Sequence, residues 1–173
     1  LGRNRLGPRG AAALARAFKG SGAWPEVLGL AVNRVADAGV EALAEALAAA
    51  EGGLGQALTL NLRGNLIGDR GAAALASRLA DGVLAAVHLE HNKITAAGVE
   101  ALARGVHAGL ALAPAGTAPA LVRLEGNPAG AQPDAAMQAA LQEAKRKQPA
   151  DGCAEAGRAA HRRRTEKSEA GAP

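Results

Sequence analysis

The sequence is nearly free of aromatic residues: one tryptophan, one phenylalanine and no tyrosine among 173 residues. Yet 49% of it is hydrophobic. Such a core is filled by leucine, valine, isoleucine and alanine, which suits thin, regular layers better than one deep interior. A single cysteine, Cys153, excludes a disulfide framework within the chain. Serine is scarce (Ser21, Ser77 and Ser168), and none stands in a nucleophile elbow. No Gly-x4-Gly-Lys-Ser/Thr and no strand-borne Gly-x-Gly-x-x-Gly occurs, and Lys19-Gly20-Ser21-Gly22 reads as a flexible turn. His88-x-x-His91 is the one close histidine pair, and three-residue spacing on a strand sends the rings to opposite faces. The expectation is a non-enzyme with no metal site and no cofactor.

Charge is present but uneven. The net charge is +4, with eight Lys/Arg against five Asp/Glu in 143–173 and twelve against eleven in the rest. The basic character belongs to the end of the chain, where His161-Arg162-Arg163-Arg164 lies among Gly, Ala and Pro. That composition buries too little apolar surface to order itself, so 149–173 is expected to be a disordered basic tail following a domain over 1–148. Nucleic acid is expected to bind, if at all, only through His161, Arg162, Arg163 and Arg164. Leu1 is not a methionine and already sits inside a repeat, so the chain reads as a fragment of a longer protein. Gly105 to Val122 is uncharged and long enough to span a membrane. Its prolines and glycines make it a loop between repeats instead, and no membrane association is expected.

The repeat is the dominant feature. Asparagines recur at Asn4, Asn33, Asn65, Asn92 and Asn127, with spacings of 29, 32, 27 and 35. Three residues before each stands leucine: Leu1, Leu30, Leu62, Leu89 and Leu124. Apolar residues also recur five before, two after, ten after and fourteen after, the last two columns reading Leu14, Leu43, Leu75, Leu102, Met137 and Phe18, Leu47, Leu79, Val106, Leu141. The columns before the asparagine alternate, as a half-buried strand requires. Those after it follow one face of a helix. Pro8, Asp37 and Asp69 mark helix starts, proline through its fixed φ and aspartate through the helix dipole. Glycine recurs two residues further on (Gly10, Gly39, Gly71, Gly98), which points to a close backbone approach on the strand side of the helix.

The unit Leu60-Asn61-Leu62-Arg63-Gly64-Asn65-Leu66-Ile67-Gly68-Asp69-Arg70-Gly71, continuing to Leu75-Ala76, resembles the long leucine-rich repeat of ribonuclease inhibitor, the Ran GTPase-activating protein and the C-terminal arrays of NOD-like receptors. The resemblance covers roughly 1–142. It implies an α/β solenoid, a horseshoe with parallel strands on the concave face and helices on the convex face. It also implies a ladder of Asn4, Asn33, Asn65, Asn92 and Asn127 serving the turns between units. Insertions are expected at Ala48–Ala57 and Val106–Ala120, both after a helix. Trp24 is expected to cover a repeat junction. The fifth unit, with Pro128, Ala129 and a polar helix over Ala135–Lys147, reads as a C-terminal cap. Around Leu1, Leu6 and Leu14 the first unit exposes apolar surface, so self-association or fraying is expected there.

Function then rests on the strand positions that flank the buried leucine. Asn61, Arg63, His88, Glu90, Arg123 and Glu125 form a contiguous polar patch beside a flat Gly29/Ala31 strip. The patch reads either as a solvated face with Arg63–Glu90 pairing or as a contact surface for a protein ligand. The expected function is protein–protein interaction through the concave face, in the cytoplasm, with a nuclear location also open. The resemblance implies two alternatives: a GTPase activator of the Ran type, or a sensor segment of a NOD-like receptor.

Overall fold

The structure is a computed structural model that describes residues 1–49, 57–112 and 119–129, with Ala135, Met137, Gln138, Ala139 and Gln142 beyond. The 149–173 tail lies outside the described residues, as do most of the expected cap helix, most of Ala48–Ala57 and residues 113–118.

Helix and strand alternate along the chain. The order is α1 (Gly7–Ser21), β1 (Val27–Gly29), α2 (Asp37–Ala48), β2 (Leu58–Asn61), α3 (Asp69–Ala80), β3 (Leu84–His88), α4 (Ala96–Leu112) and β4 (Leu121–Arg123). The strands form one parallel sheet in chain order, β1-β2-β3-β4. Parallel neighbours need a crossover, and here each crossover is a helix. Helices contact one another in the same sequence, α1 on α2, α2 on α3 and α3 on α4. Each unit therefore buries its apolar side against the next.

The repeat columns are the core. Leu30, Leu62, Leu89 and Leu124 are fully buried, as are Val35, Ile67 and Ile94 on the segment leading to each helix. From the helices, Leu43, Leu75, Leu102, Leu47, Leu79 and Val106 join the same cluster, and Met137 carries the column into the fifth unit. Each such side chain contributes about 1.5–3 kcal/mol over leaving it in water. The first unit departs: Leu6, Leu14 and Phe18 are only half-buried and Leu1 is 63% exposed. Trp24 packs beside Phe18, ring centroids 4.7 Å apart, at the α1–β1 junction.

The asparagines form a second, polar spine. Asn65 is buried; its Oδ1 accepts from the N–H groups of Asn33 and Val35, and its Nδ2 donates to the carbonyls of Leu30 and Leu62. Asn33, Asn92 and Asn127 repeat this bridge between adjacent units. Asn4 is the exposed end of the ladder, bonding only carbonyls of its own turn through its side chain.

Three expectations need correction. The insertion Val106–Ala120 does not begin as a loop: α4 runs on to Leu112. It does so because Gly105 and Gly109, four residues apart on one helical face, let α4 lie directly against the Ala76 and Leu79 carbonyls of α3. The recurrent glycines do not face a strand. A Cβ on Gly71 would come within 2.7 Å of both the Asp37 carboxylate and the Ile67 side chain, and one on Gly39 within 2.9 Å of Ala11 Cβ. Their neighbours are the preceding unit's helix start and an aliphatic of their own unit.

The third correction concerns the aspartates. Asp37 and Asp69 open their own helices, but their carboxylates serve the helix of the next unit. Asp37 Oδ1 accepts from the N–H groups of Gly68 (2.7 Å) and Gly71 (3.1 Å). Asp69 Oδ1 accepts likewise from Thr95 (2.8 Å) and Gly98 (3.1 Å), and its Oδ2 takes the Thr95 hydroxyl. These are the unpaired N–H groups of a helix start, capped in trans. Burial by itself raises the Asp69 pKa, but the Thr95 hydroxyl and the Thr95 and Gly98 N–H groups outweigh it and hold the carboxyl below its usual value. A lowered folded pKa contributes stability above the unfolded value of about 4, lost as pH falls through the folded value. Asp69→Asn is expected to lose about 1 kcal/mol at neutral pH and to flatten the decline of stability below pH about 4. Urea midpoints measured across that range check both effects, and an unchanged acid slope would show that Asp69 is not a source of the decline.

The turns themselves are strained in a regular way. The residue just before each asparagine is left-handed: Arg3 (φ 60°), Val32 (55°), Gly64 (67°), His91 (55°) and Gly126 (75°). From Val32 onward the column alternates a side chain with glycine. A Cβ at Gly64 would approach Val32 Cγ2 to 3.2 Å, and one at Gly126 would collide with the His91 ring. Adjacent turns leave room for one side chain, not two.

Candidate functional site

The strands turn Leu28, Leu58, Leu60, Leu84 and Val87 inward, and the residues that alternate with them face away from the helices. Parallel register then sorts them into rows. Gly29, Asn61, His88 and Arg123 are aligned partners across the four strands. Ala31, Arg63, Glu90 and Glu125 form the next row, locked by 2.8 Å bonds from the N–H groups of Val32, Gly64 and His91 to the carbonyls of Arg63, Glu90 and Glu125. All six polar residues expected to share a patch thus lie in two adjoining rows, about 4.8 Å apart from strand to strand.

The structure adds a third row that the sequence reading missed. Val27, Thr59, Ala86 and Leu121 are mutually aligned on the same face, with Val27 62% and Leu121 49% exposed. The signal was available, since the alternation of two that marks the other rows extends one step further back. The row's members differ in type from unit to unit, and just beyond it a register shift between Leu58 and Thr59, opposite Leu84 and Ala86, leaves Ala85 as an extra residue. The open face therefore grades from an aliphatic row to a polar one.

Within the polar rows the ion pairing differs from the expected one. Glu90 does not pair with Arg63. Its Oε1 lies 3.4 Å from His88 Nδ1 on its own strand, and its Oε2 is buried with no hydrogen-bond partner. Asn61 is turned onto the chain, its Oδ1 accepting from the Arg63 N–H. Among the described residues, the side chains of Arg63, Arg123 and Glu125 enter no ion pair. By contrast Arg70, Arg78 and Arg104, all on helices, are each paired with a carboxylate.

The two histidines do not converge. His88 is in the middle row facing Glu90, whereas His91 sits in the left-handed turn against Gly126. No helix among the described residues is long and apolar enough to cross a membrane.

Residues 58–76 and 84–103, the strand-turn-helix spans of β2–α3 and β3–α4, match the family described as Leucine Rich repeat. Two of the chain's units therefore match leucine-rich repeats. No curated protein matches it significantly. Leucine-rich repeats commonly mediate protein–protein interaction and are generally not catalytic, which agrees with an open face built of register rows rather than a convergent pocket. A cavity of about 490 Å³ lies instead at the far ends of α3 and α4 between Leu79, Leu84, Val106 and Leu110. Its lining is mostly aliphatic, with Asp81, which is paired with Arg78, as the one charged residue among those described.

Proposed function

We propose that this leucine-rich repeat chain is a non-catalytic module that binds a protein partner through the open face of its sheet. Asn61, Arg63, His88, Glu90, Arg123 and Glu125 supply the polar contacts. The repeats continue as a horseshoe of the ribonuclease-inhibitor-like kind. Helices about 10 Å across stand behind strands about 4.8 Å apart, so stacked units must splay on the helix side and curve with the strands inside. That curvature makes the open face concave.

The observation that carries the reading is the contrast in pairing. Arg70, Arg78 and Arg104 on α3 and α4 are paired within the chain, as Arg9 and Arg16 on α1 are not, and on the open face Arg63 and Arg123 enter no ion pair among the described residues, beside a buried Glu90 oxygen with no hydrogen-bond partner. Such a surface has hydrogen-bonding and charge capacity that a partner can use. Val27 and Leu121 in the adjoining row offer apolar contact next to it.

Arg63→Glu combined with Arg123→Glu is expected to weaken partner binding by about 30-fold or more, the loss of one to two hot-spot residues, while the circular dichroism spectrum stays native. The measurement is affinity capture and titration of partners found with the wild-type chain. Normal binding of every such partner by the folded variant would remove the open face from the function. Deleting 149–173 is expected to leave that binding unchanged, and loss on deletion would transfer the site to the basic tail.

A further inference from the structure

A second surface lies along the edge where the strands end and the chain turns towards the helices. We propose that this edge is a docking strip for an acidic protein segment carrying aliphatic side chains. It adjoins the open face and shares Arg63 with it, but its test uses residues outside that face.

The strip is basic in four consecutive units. The turns around Asn4, Asn33, Asn65 and Asn92 present Arg3 and Arg5, then Arg34, then Arg63, then Lys93, all exposed. None of these cations enters an ion pair among the described residues. The nearby carboxylates are otherwise engaged. Asp37 and Asp69 cap the next helix, and Glu90 is held to His88. Glu125 comes one unit later and ends the strip.

Two exposed aliphatic residues are set between the cations, Val32 (50%) and Leu66 (45%). Val32 is held at φ 55°, a region a β-branched residue occupies at a cost of about 1–2 kcal/mol. Arg3, Arg5 and Arg34 share that backbone region, at φ 60°, 52° and 57°. Glycine meets the demand without strain in the turns of the third and fifth units, at Gly64 and Gly126. Non-glycine residues retained in such a conformation point to use of their side chains.

The strip is also rigid. Beneath each turn the asparagine ladder bonds the backbone of adjacent units, and Arg3, Val32, Leu66 and Lys93 donate their N–H groups to carbonyls of the neighbouring unit. Preorganised donors bind with less loss of freedom. Three unit steps span about 15 Å, which an extended peptide of about five residues covers.

The chemistry favours a peptide over nucleic acid. Base stacking uses aromatic side chains, and along the strip the described residues offer one ring, His91, which lies against the Gly126 turn at its end. Val32 and Leu66 are exposed aliphatic positions between the cations and suit leucine or valine side chains between carboxylates.

The test uses the full chain and two fluorescein-labelled probes. One is a peptide of about twelve residues repeating Glu-Leu-Glu-Glu; the other is a single-stranded thymidine oligonucleotide of equal charge. At low salt the peptide is expected to bind the wild type more tightly than the oligonucleotide does. Arg5→Glu, Arg34→Glu and Lys93→Glu together are expected to weaken it at least tenfold, and Arg123→Glu to change it less than twofold. Lys93→Glu alone, at a residue outside the left-handed region, is expected to retain the fold and lose part of the affinity. Peptide binding that is absent, or unaffected by Lys93→Glu and by the triple variant, would overturn the strip. Tighter binding of the oligonucleotide would overturn the acidic peptide as its occupant. In both cases the open-face reading, tested through Arg63 and Arg123 with protein partners, stays separate.

Discussion

Asn65→Ala is expected to destabilise the array by about 3 kcal/mol or more. The side chain joins the backbone of two adjacent units. Its oxygen satisfies the N–H groups of Asn33 and Val35, and its nitrogen satisfies the carbonyls of Leu30 and Leu62. All four groups sit in a dry interior, and each unmet buried group costs about 1–3 kcal/mol. Asn65→Asp separates the two halves of the role. A carboxylate keeps the acceptor but turns a second oxygen towards the Leu30 and Leu62 carbonyls, so it is expected to be as harmful as alanine at neutral pH. Asn4→Ala is the control, because its side-chain bonds are exposed and lie within one turn. Chemical denaturation of the three variants checks the order. A cost below about 1 kcal/mol for Asn65→Ala would mean that water replaces the ladder.

Gly105→Ala is expected to destabilise by about 2 kcal/mol, although the same change in an isolated helix stabilises by about 1 kcal/mol. The sign reverses because α4 rests on the backbone of α3 at this point. An added Cβ would stand 2.8 Å from the carbonyl carbon and Cα of Ala76 and closer still to the Ala76 oxygen. Backbone atoms of a packed helix cannot swing aside as a side-chain tip does. Gly109→Ala meets the Leu79 carbonyl in the same way, and the pair is expected to be less than additive because one displacement of α4 relieves both. Gly20→Ala in α1, with nothing within 4 Å, is expected to stabilise. If Gly105→Ala and Gly20→Ala shift the thermal midpoint in the same direction, the close approach of α3 and α4 is not present in solution.

Much of the fold was legible before any coordinates because the repeat reports itself five times. A column that is leucine in every copy, as at Leu1, Leu30, Leu62, Leu89 and Leu124, identifies an inward position by recurrence alone, and the four latter members are fully buried. Periods of two before the asparagine and of 3.6 after it separated strand from helix. The polar face was legible for the same reason, since residues either side of a buried strand position must face outward. The aliphatic row of Val27 and Leu121 escaped because its members, Val27, Thr59, Ala86 and Leu121, differ in type from unit to unit.

Periodicity within the chain set which residues are core, which serve the turns and which are free, because those assignments depend only on spacing along one strand or helix. Contacts between units were decided elsewhere. That Asp69 caps the helix of the following unit, that Glu90 turns to His88 and leaves Arg63 free, and that Val32 rests on Gly64 all depend on how far one unit is shifted and rotated against the next. Those offsets are fixed by packing of whole helices at distances of a few ångströms. A change of one ångström there exchanges one hydrogen-bond partner for another while every column in the sequence stays the same.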